Sequence, residues 1–184
     1  MNTLSHQLNP LSSKILKYGW ANFIRAHRPW QWFATFTFKY DLKEDPALRR
    51  FGAWVGRLTQ ALRDSGSKKP KVKYVLAVEW THLKRVHLHA LLSSPGLDRL
   101  NRLRWAGRWT QVGGGYARIY PALGRAWGYL SKEIAKGGQI HFGGGPWRDR
   151  KYRELSQTGA CPISPPSVGV GSSRSPFLFP NNRG

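Results

Sequence analysis

The residues best equipped for chemistry lie in Glu79 to Leu92, EWTHLKRVHLHALL, and centre on His87-Leu88-His89. In an extended strand successive side chains point to opposite faces. Arg85, His87, His89 and Leu91 therefore share one side, and Val86, Leu88, Ala90 and Leu92 the other. One side is core; the other presents two imidazoles. Lys71 to Trp80 alternates in the same way, with Val72, Tyr74, Leu76, Val78 and Trp80 on its apolar side and Lys73, Val75, Ala77 and Glu79 opposite. The Thr81 to Lys84 connection is short enough for a hairpin, which sets Glu79 beside the histidines. A carboxylate and two imidazoles converging on a sheet face are suitable ligands for a divalent cation, Mg2+ or Mn2+. Downstream, Tyr129-Leu130-Ser131-Lys132 lies in a helical stretch from Ala122 to Lys136. Residues three apart share a helix face, so the phenol of Tyr129 and the ammonium of Lys132 point the same way, with Lys136 one turn on. That pairs a nucleophile with a cation.

Either motif alone is ordinary, since HxH is usually a surface pair and YxxK a packed tyrosine beside solvated lysines. Their order is more specific. FATFTF at Phe33 to Phe38, HLH at His87 to His89 with Glu79 eight residues before His87, and YLSK at Tyr129 to Lys132 resemble the three motifs of HUH endonucleases. The resemblance is strongest to rolling-circle replication initiators (Rep proteins) of plasmids, small single-stranded DNA phages and related viruses. It spans roughly Gln31 to Gly138.

The resemblance implies a metal held by Glu79, His87 and His89, and nicking and joining of single-stranded DNA at a replication origin. Tyr129 would attack the scissile phosphorus and the 3′ hydroxyl would leave, so that a 5′-phosphotyrosine link preserves the bond energy. An unperturbed phenol, with pKa about 10, is only roughly 0.3 per cent ionised near pH 7.5. A metal that polarises the non-bridging oxygen would compensate. Lys132 could lower the phenol pKa, steady the developing charge or act on the leaving group. Arg125 and Glu133 stand four residues either side of Tyr129, so a paired-tyrosine mechanism is not expected. No P-loop motif is present, which leaves strand opening to a host helicase, to supercoiling or to a hairpin origin.

These side chains need a scaffold, and the patterning supplies one. Leu11 to His27 spaces Leu11, Ile15, Leu16, Trp20, Phe23 and Ile24 at helical intervals. Gln31 to Lys39 alternates as a strand that holds Thr35 and Thr37 near the metal face. Asp45-Pro46 opens a helix whose stripe is Phe51, Trp54, Val55, Leu58 and Leu62, and Ser65-Gly66 stops it. Leu97 to Trp109 reads as a helix with Leu100, Leu103 and Trp105 inward. The Gly113 to Gly115 run is a turn before a strand from Tyr116 to Tyr120, and Pro121 starts the Tyr129 helix. Gln139 to Phe142 adds an edge strand. The order strand, helix, strand, strand, helix, strand, helix predicts an α+β fold, a ferredoxin-like or RRM-like antiparallel sheet with helices on one face. The histidines lie on the open face, with the last helix delivering Tyr129 across it. The expected organisation is an N-terminal helical extension over 1–28, a nicking domain over 29–143 and a Pro/Gly/Ser-rich tail over 144–184, in which Phe177 to Phe179 could dock.

Composition narrows the partners. Thirty Lys plus Arg against nine Asp plus Glu give a formal charge of +21 in 184 residues, which calls for a polyanion. Nine Trp, seven Tyr and eight Phe suit stacking of unpaired bases as well as core packing. The basic Ser67 to Lys73 loop and the arginines of the Leu97 helix are candidates for base contacts. No run approaches the roughly 20 apolar residues of a membrane span, and no secretory signal opens the chain. The single Cys161 excludes an internal disulfide or zinc cluster. A cytoplasmic setting in a bacterial or archaeal host cell follows. Two rivals remain: a single-tyrosine HUH transposase or relaxase, and a non-catalytic RRM-like nucleic-acid-binding module. The module explains charge and fold but not Glu79, His87, His89 and Tyr129 together.

Overall fold

A computed structural model describes residues 10–27, 29–124, 126–136 and 138–144. The C-terminal segment from 145, with Cys161 and Phe177 to Phe179, lies outside the described residues, as does Arg125. Along the chain come α1 (Pro10–Ala26), β1 (Trp32–Phe36), α2 (Glu44–Asp64), β2 (Lys73–Trp80), β3 (Val86–Ser93), α3 (Arg102–Gly107), β4 (Ala117–Pro121), α4 (Ala126–Ala135) and β5 (Gln139–Gly143). The strands form one sheet in the order β4-β1-β3-β2-β5, and every neighbouring pair is antiparallel. The first four strands thus have the interleaved order of two split βαβ units, the ferredoxin-like arrangement, with β5 added at the β2 edge.

One sheet face is closed by α2 and α3. Ala34, Phe36, Leu76, Val78, Leu88, Ala90, Ala117 and Ile119 point into this core and meet Phe51, Trp54, Leu58 and Leu62 of α2 and Trp105 of α3. The other face is not bare. Trp20, Phe23 and Ile24 of α1 and Leu130 and Ile134 of α4 form a second core there over Val75, Ala77, Leu91 and Ile140. Both layers are amphipathic at helical spacing, so each buries one stripe. The Lys73 ammonium donates to the His27 carbonyl past the C-terminal end of α1 and lies 4.6 Å from the Trp30 ring centroid. Burial pushes the Lys73 pKa down.

Three local expectations are corrected. α2 opens at Glu44, one residue before Asp45-Pro46: Lys43 is its N-cap without a side-chain hydrogen bond, and Glu44 and Asp45 put two carboxylates in the first turn. The Leu97 to Trp109 stretch is broken, a 3₁₀ turn at Leu97–Arg99 followed by α3, because the Asn101 side chain accepts from Arg104 N and starts a new helix. The restart changes which residues face inward, so Trp105 and Trp109 are buried while Leu103 is 80 % exposed. Pro121 ends β4 rather than opening α4, a position an edge strand tolerates because its outer side needs no amide donor. α4 then begins at Ala126, after a turn closed by Ala126 N–H donating to the Leu123 carbonyl.

Candidate functional site

Register across the sheet assembles the site. Thr35 of β1 lies opposite His89 of β3, His89 lies opposite Ala77 of β2, and Glu79 lies opposite His87. All four polar side chains therefore stand on the α4 side. The hairpin that fixes this pairing is closed by Thr81 N–H donating to the Arg85 carbonyl and Lys84 N–H donating to the Thr81 carbonyl. Lys84 occupies the left-handed region at φ 57°, a conformation that costs a non-glycine residue about 1 kcal/mol or more.

Within the cluster, His89 Nε2 is 2.8 Å from Glu79 Oε2, and His89 Nδ1 is 3.1 Å from Thr35 Oγ1. His87 Nδ1 lies 4.0 Å from the same Glu79 oxygen. His89 is 3 % exposed, whereas Glu79 and His87 are 25 % and 32 % exposed and open to solvent. The sheet thus fixes His89 and leaves its two partners room to adjust.

The donor set suits a divalent ion in type. Two ligands on one ion with bonds of about 2.1 Å at right angles stand about 3 Å apart, and His89 Nε2 and Glu79 Oε2 are already at that separation. Were Nε2 committed to an ion, the remaining proton would sit on Nδ1 and be donated to Thr35 Oγ1, the kind of outer hydrogen bond that orients metal-bound histidines. Among the described residues no three such side chains form a ready-made cage.

α4 brings Tyr129 to the same place. Its ring is edge-on to His89, with centroids 5.1 Å apart and planes at 63°, and edge-on to Phe33 at 5.7 Å. Phe33 in turn stacks parallel to His89 at 6.4 Å. Tyr129 remains 42 % exposed, so its ring is gripped while it still reaches solvent. Leu130 and Ile134 anchor the helix in the second core, and the Ser131 hydroxyl donates to the Gly128 carbonyl. Lys132 is exposed on the Tyr129 side of the helix.

Glu79, His87, His89 and Tyr129 are therefore brought together, and Thr35 joins them. Thr37 does not: its hydroxyl donates to the Tyr116 carbonyl and accepts from Tyr116 N–H, tying β1 to β4. The Leu97-region arginines belong to the opposite side of the sheet, since α3 packs on the α2 face. Sequence alone does not single out Phe33 as a site residue, although its place two residues before Thr35 puts it on the same face. His141 also escapes the site, pairing with Glu44 at 3.3 Å on the α2 side.

Among the described residues no helix is long and apolar enough to cross a membrane. No curated protein and no solved structure matches the chain. Residues 31–138 match the sequence profile of the replication-associated protein ORF2 family. That span runs from the start of β1 past the end of α4, contains every residue of the cluster and covers more than half of the chain. The chain belongs to the replication-associated protein ORF2 family.

Proposed function

We propose that the protein is an HUH-type initiator that nicks and rejoins single-stranded DNA at an origin of rolling-circle replication, with Tyr129 as nucleophile. The observation that carries the reading is the placement of the Tyr129 ring edge-on to His89 while His89 contacts Glu79. Family membership supports replication initiation, and the charge of +21 fits a polyanionic substrate.

The Tyr129 oxygen gives up its proton and forms a bond to the scissile phosphorus. The phosphorus–O3′ bond breaks, and the departing 3′ oxygen takes up a proton, leaving a free 3′ hydroxyl and a 5′-phosphotyrosine. Reversal by a 3′ hydroxyl rejoins the strand without an outside energy source. Glu79, His87 and His89 would hold a divalent ion, Mg2+ or Mn2+, whose chemistry is to polarise a non-bridging phosphate oxygen. Thr35 orients His89, Phe33 limits the swing of Tyr129, and Lys132 supplies positive charge one helical turn away. A second reading, an RRM-like module without catalysis, explains the charge and the sheet but gives no role to the Glu79–His89–Tyr129 convergence.

Incubation with random-sequence single-stranded oligonucleotides and Mn2+ tests the reading. Cleavage that leaves a free 3′ hydroxyl and a protein-blocked 5′ end is expected. Binding without cleavage of any oligonucleotide would favour the non-catalytic module.

A further inference from the structure

The β4 side of the sheet face carries a row of side chains that the cluster does not use. Tyr116, Arg118 and Tyr120 alternate outward from the edge strand, while Ala117 and Ile119 between them are buried. Tyr116 is 60 % exposed and Tyr120 49 %. Arg118 Nε–H donates to the Tyr116 hydroxyl oxygen at 2.9 Å, and its guanidinium lies 5.3 Å from the Tyr116 ring centroid. Its pKa is raised, first by that hydrogen bond, and its other N–H donors are carried on an exposed fork.

The row is in register with the site. Arg118 lies opposite Thr35, which contacts His89, and Tyr120 lies opposite Phe33, which contacts Tyr129. Tyr120, Phe33, Leu123 and Tyr129 line an open apolar groove of about 670 Å³. From Tyr116 to Tyr120 the strand advances roughly 13 Å. The second core occupies the sheet face over β2, β3 and β5, so among the described residues the β4 edge offers an extended polymer crossing this face an exposed aromatic surface.

We propose that Tyr116, Arg118 and Tyr120 form a track for single-stranded DNA. Two unpaired bases that are not neighbours in the strand stack on the two phenol rings, as on other sheet-borne aromatic platforms, and Arg118 holds a phosphate of the stretch between them. The track ends at the Tyr120 groove, so the strand leaving it passes Tyr129. The assignment rests on single-stranded DNA being the substrate. Stacking is indifferent to base identity, which makes this a device for gripping and aiming the strand rather than for reading its sequence.

Binding of a fluorescein-labelled poly(dT) oligonucleotide to the full chain, measured by anisotropy in EDTA so that nothing is cut, tests the track. Tyr116→Ala and Tyr120→Ala should each weaken binding at least about fivefold, the lower end of what one base stack contributes. Tyr18→Ala, an equally exposed tyrosine on α1, should not. Arg118→Ala should weaken binding more than Arg99→Ala, which removes the same charge from an exposed position beside α3. An oligonucleotide carrying 5-iododeoxyuridine should photocrosslink to Tyr116 or Tyr120. Affinity unchanged in both tyrosine variants, with wild-type protein binding normally, overturns the track and leaves the nicking reading intact. No binding of single-stranded DNA by the wild-type protein overturns both.

Discussion

Tyr129 of α4 stands edge-on to His89 of β3 at a centroid separation of 5.1 Å, although the two belong to motifs far apart in the chain. The contact is made by ring carbons, so it survives loss of the phenol oxygen. Tyr129→Phe is therefore expected to keep the fold and the affinity for single-stranded DNA while strand cleavage falls more than about a thousandfold. Parallel anisotropy and cleavage assays check this, and cleavage retained within tenfold would remove Tyr129 from the chemistry.

Thr35 touches His89 through one hydrogen bond of 3.1 Å and is otherwise a strand residue. Thr35→Val keeps the shape and removes the acceptor. The Mn2+ concentration that half-saturates cleavage should rise about 10- to 100-fold, the usual cost of losing an outer partner of a metal-bound histidine. Titration of the metal reads this directly, and an unchanged midpoint would mean that Thr35 does not orient a ligand.

Phe33 lies against both His89 and Tyr129. Phe33→Ala leaves Tyr129, Glu79, His87 and His89 in place but loosens their mutual position. A displacement of about 1 Å can cost on the order of 100-fold in rate. A drop of that order in single-turnover cleavage, with metal dependence unaltered, is the expected result.

The cluster was legible for a simple reason. Strand alternation has an exact period of two, so HLH and Glu79 could be assigned to one face and the short hairpin could place them side by side. β1 carried the same signal for Thr35. What alternation could not reveal is how α4 approaches the sheet, because Tyr129 meets Phe33 and His89 through packing between distant segments. The restart at Asn101 was equally hidden: arginines and leucines from Leu97 to Trp109 fit a continuous helix, and only the cap shows that Leu103 turns outward. Covering of the second sheet face by α1 depended on tertiary contacts of Trp20 and Phe23 that helical spacing alone leaves without a partner.

The outward turn of Leu103 can be checked against the core. Trp54 is fully buried, donates from its indole nitrogen to the Trp105 carbonyl at 3.2 Å and packs edge-on against Trp105 and Phe36. Trp54→Ala should destabilise the fold by about 3–5 kcal/mol. Leu103→Ala should change stability by no more than about 0.5 kcal/mol. Urea unfolding of the two variants distinguishes the broken helix from a continuous one with Leu103 inward, for which the leucine variant would lose about 2–5 kcal/mol.

The most direct test of the account is mass-spectrometric mapping of the protein after reaction with single-stranded DNA and Mn2+, followed by nuclease and protease digestion. A 5′-nucleotide attached through phosphate to Tyr129, absent when Glu79→Gln protein or EDTA is used, is the predicted result. An adduct on another residue, or cleaved DNA bearing a free 5′ phosphate with no adduct, would contradict it.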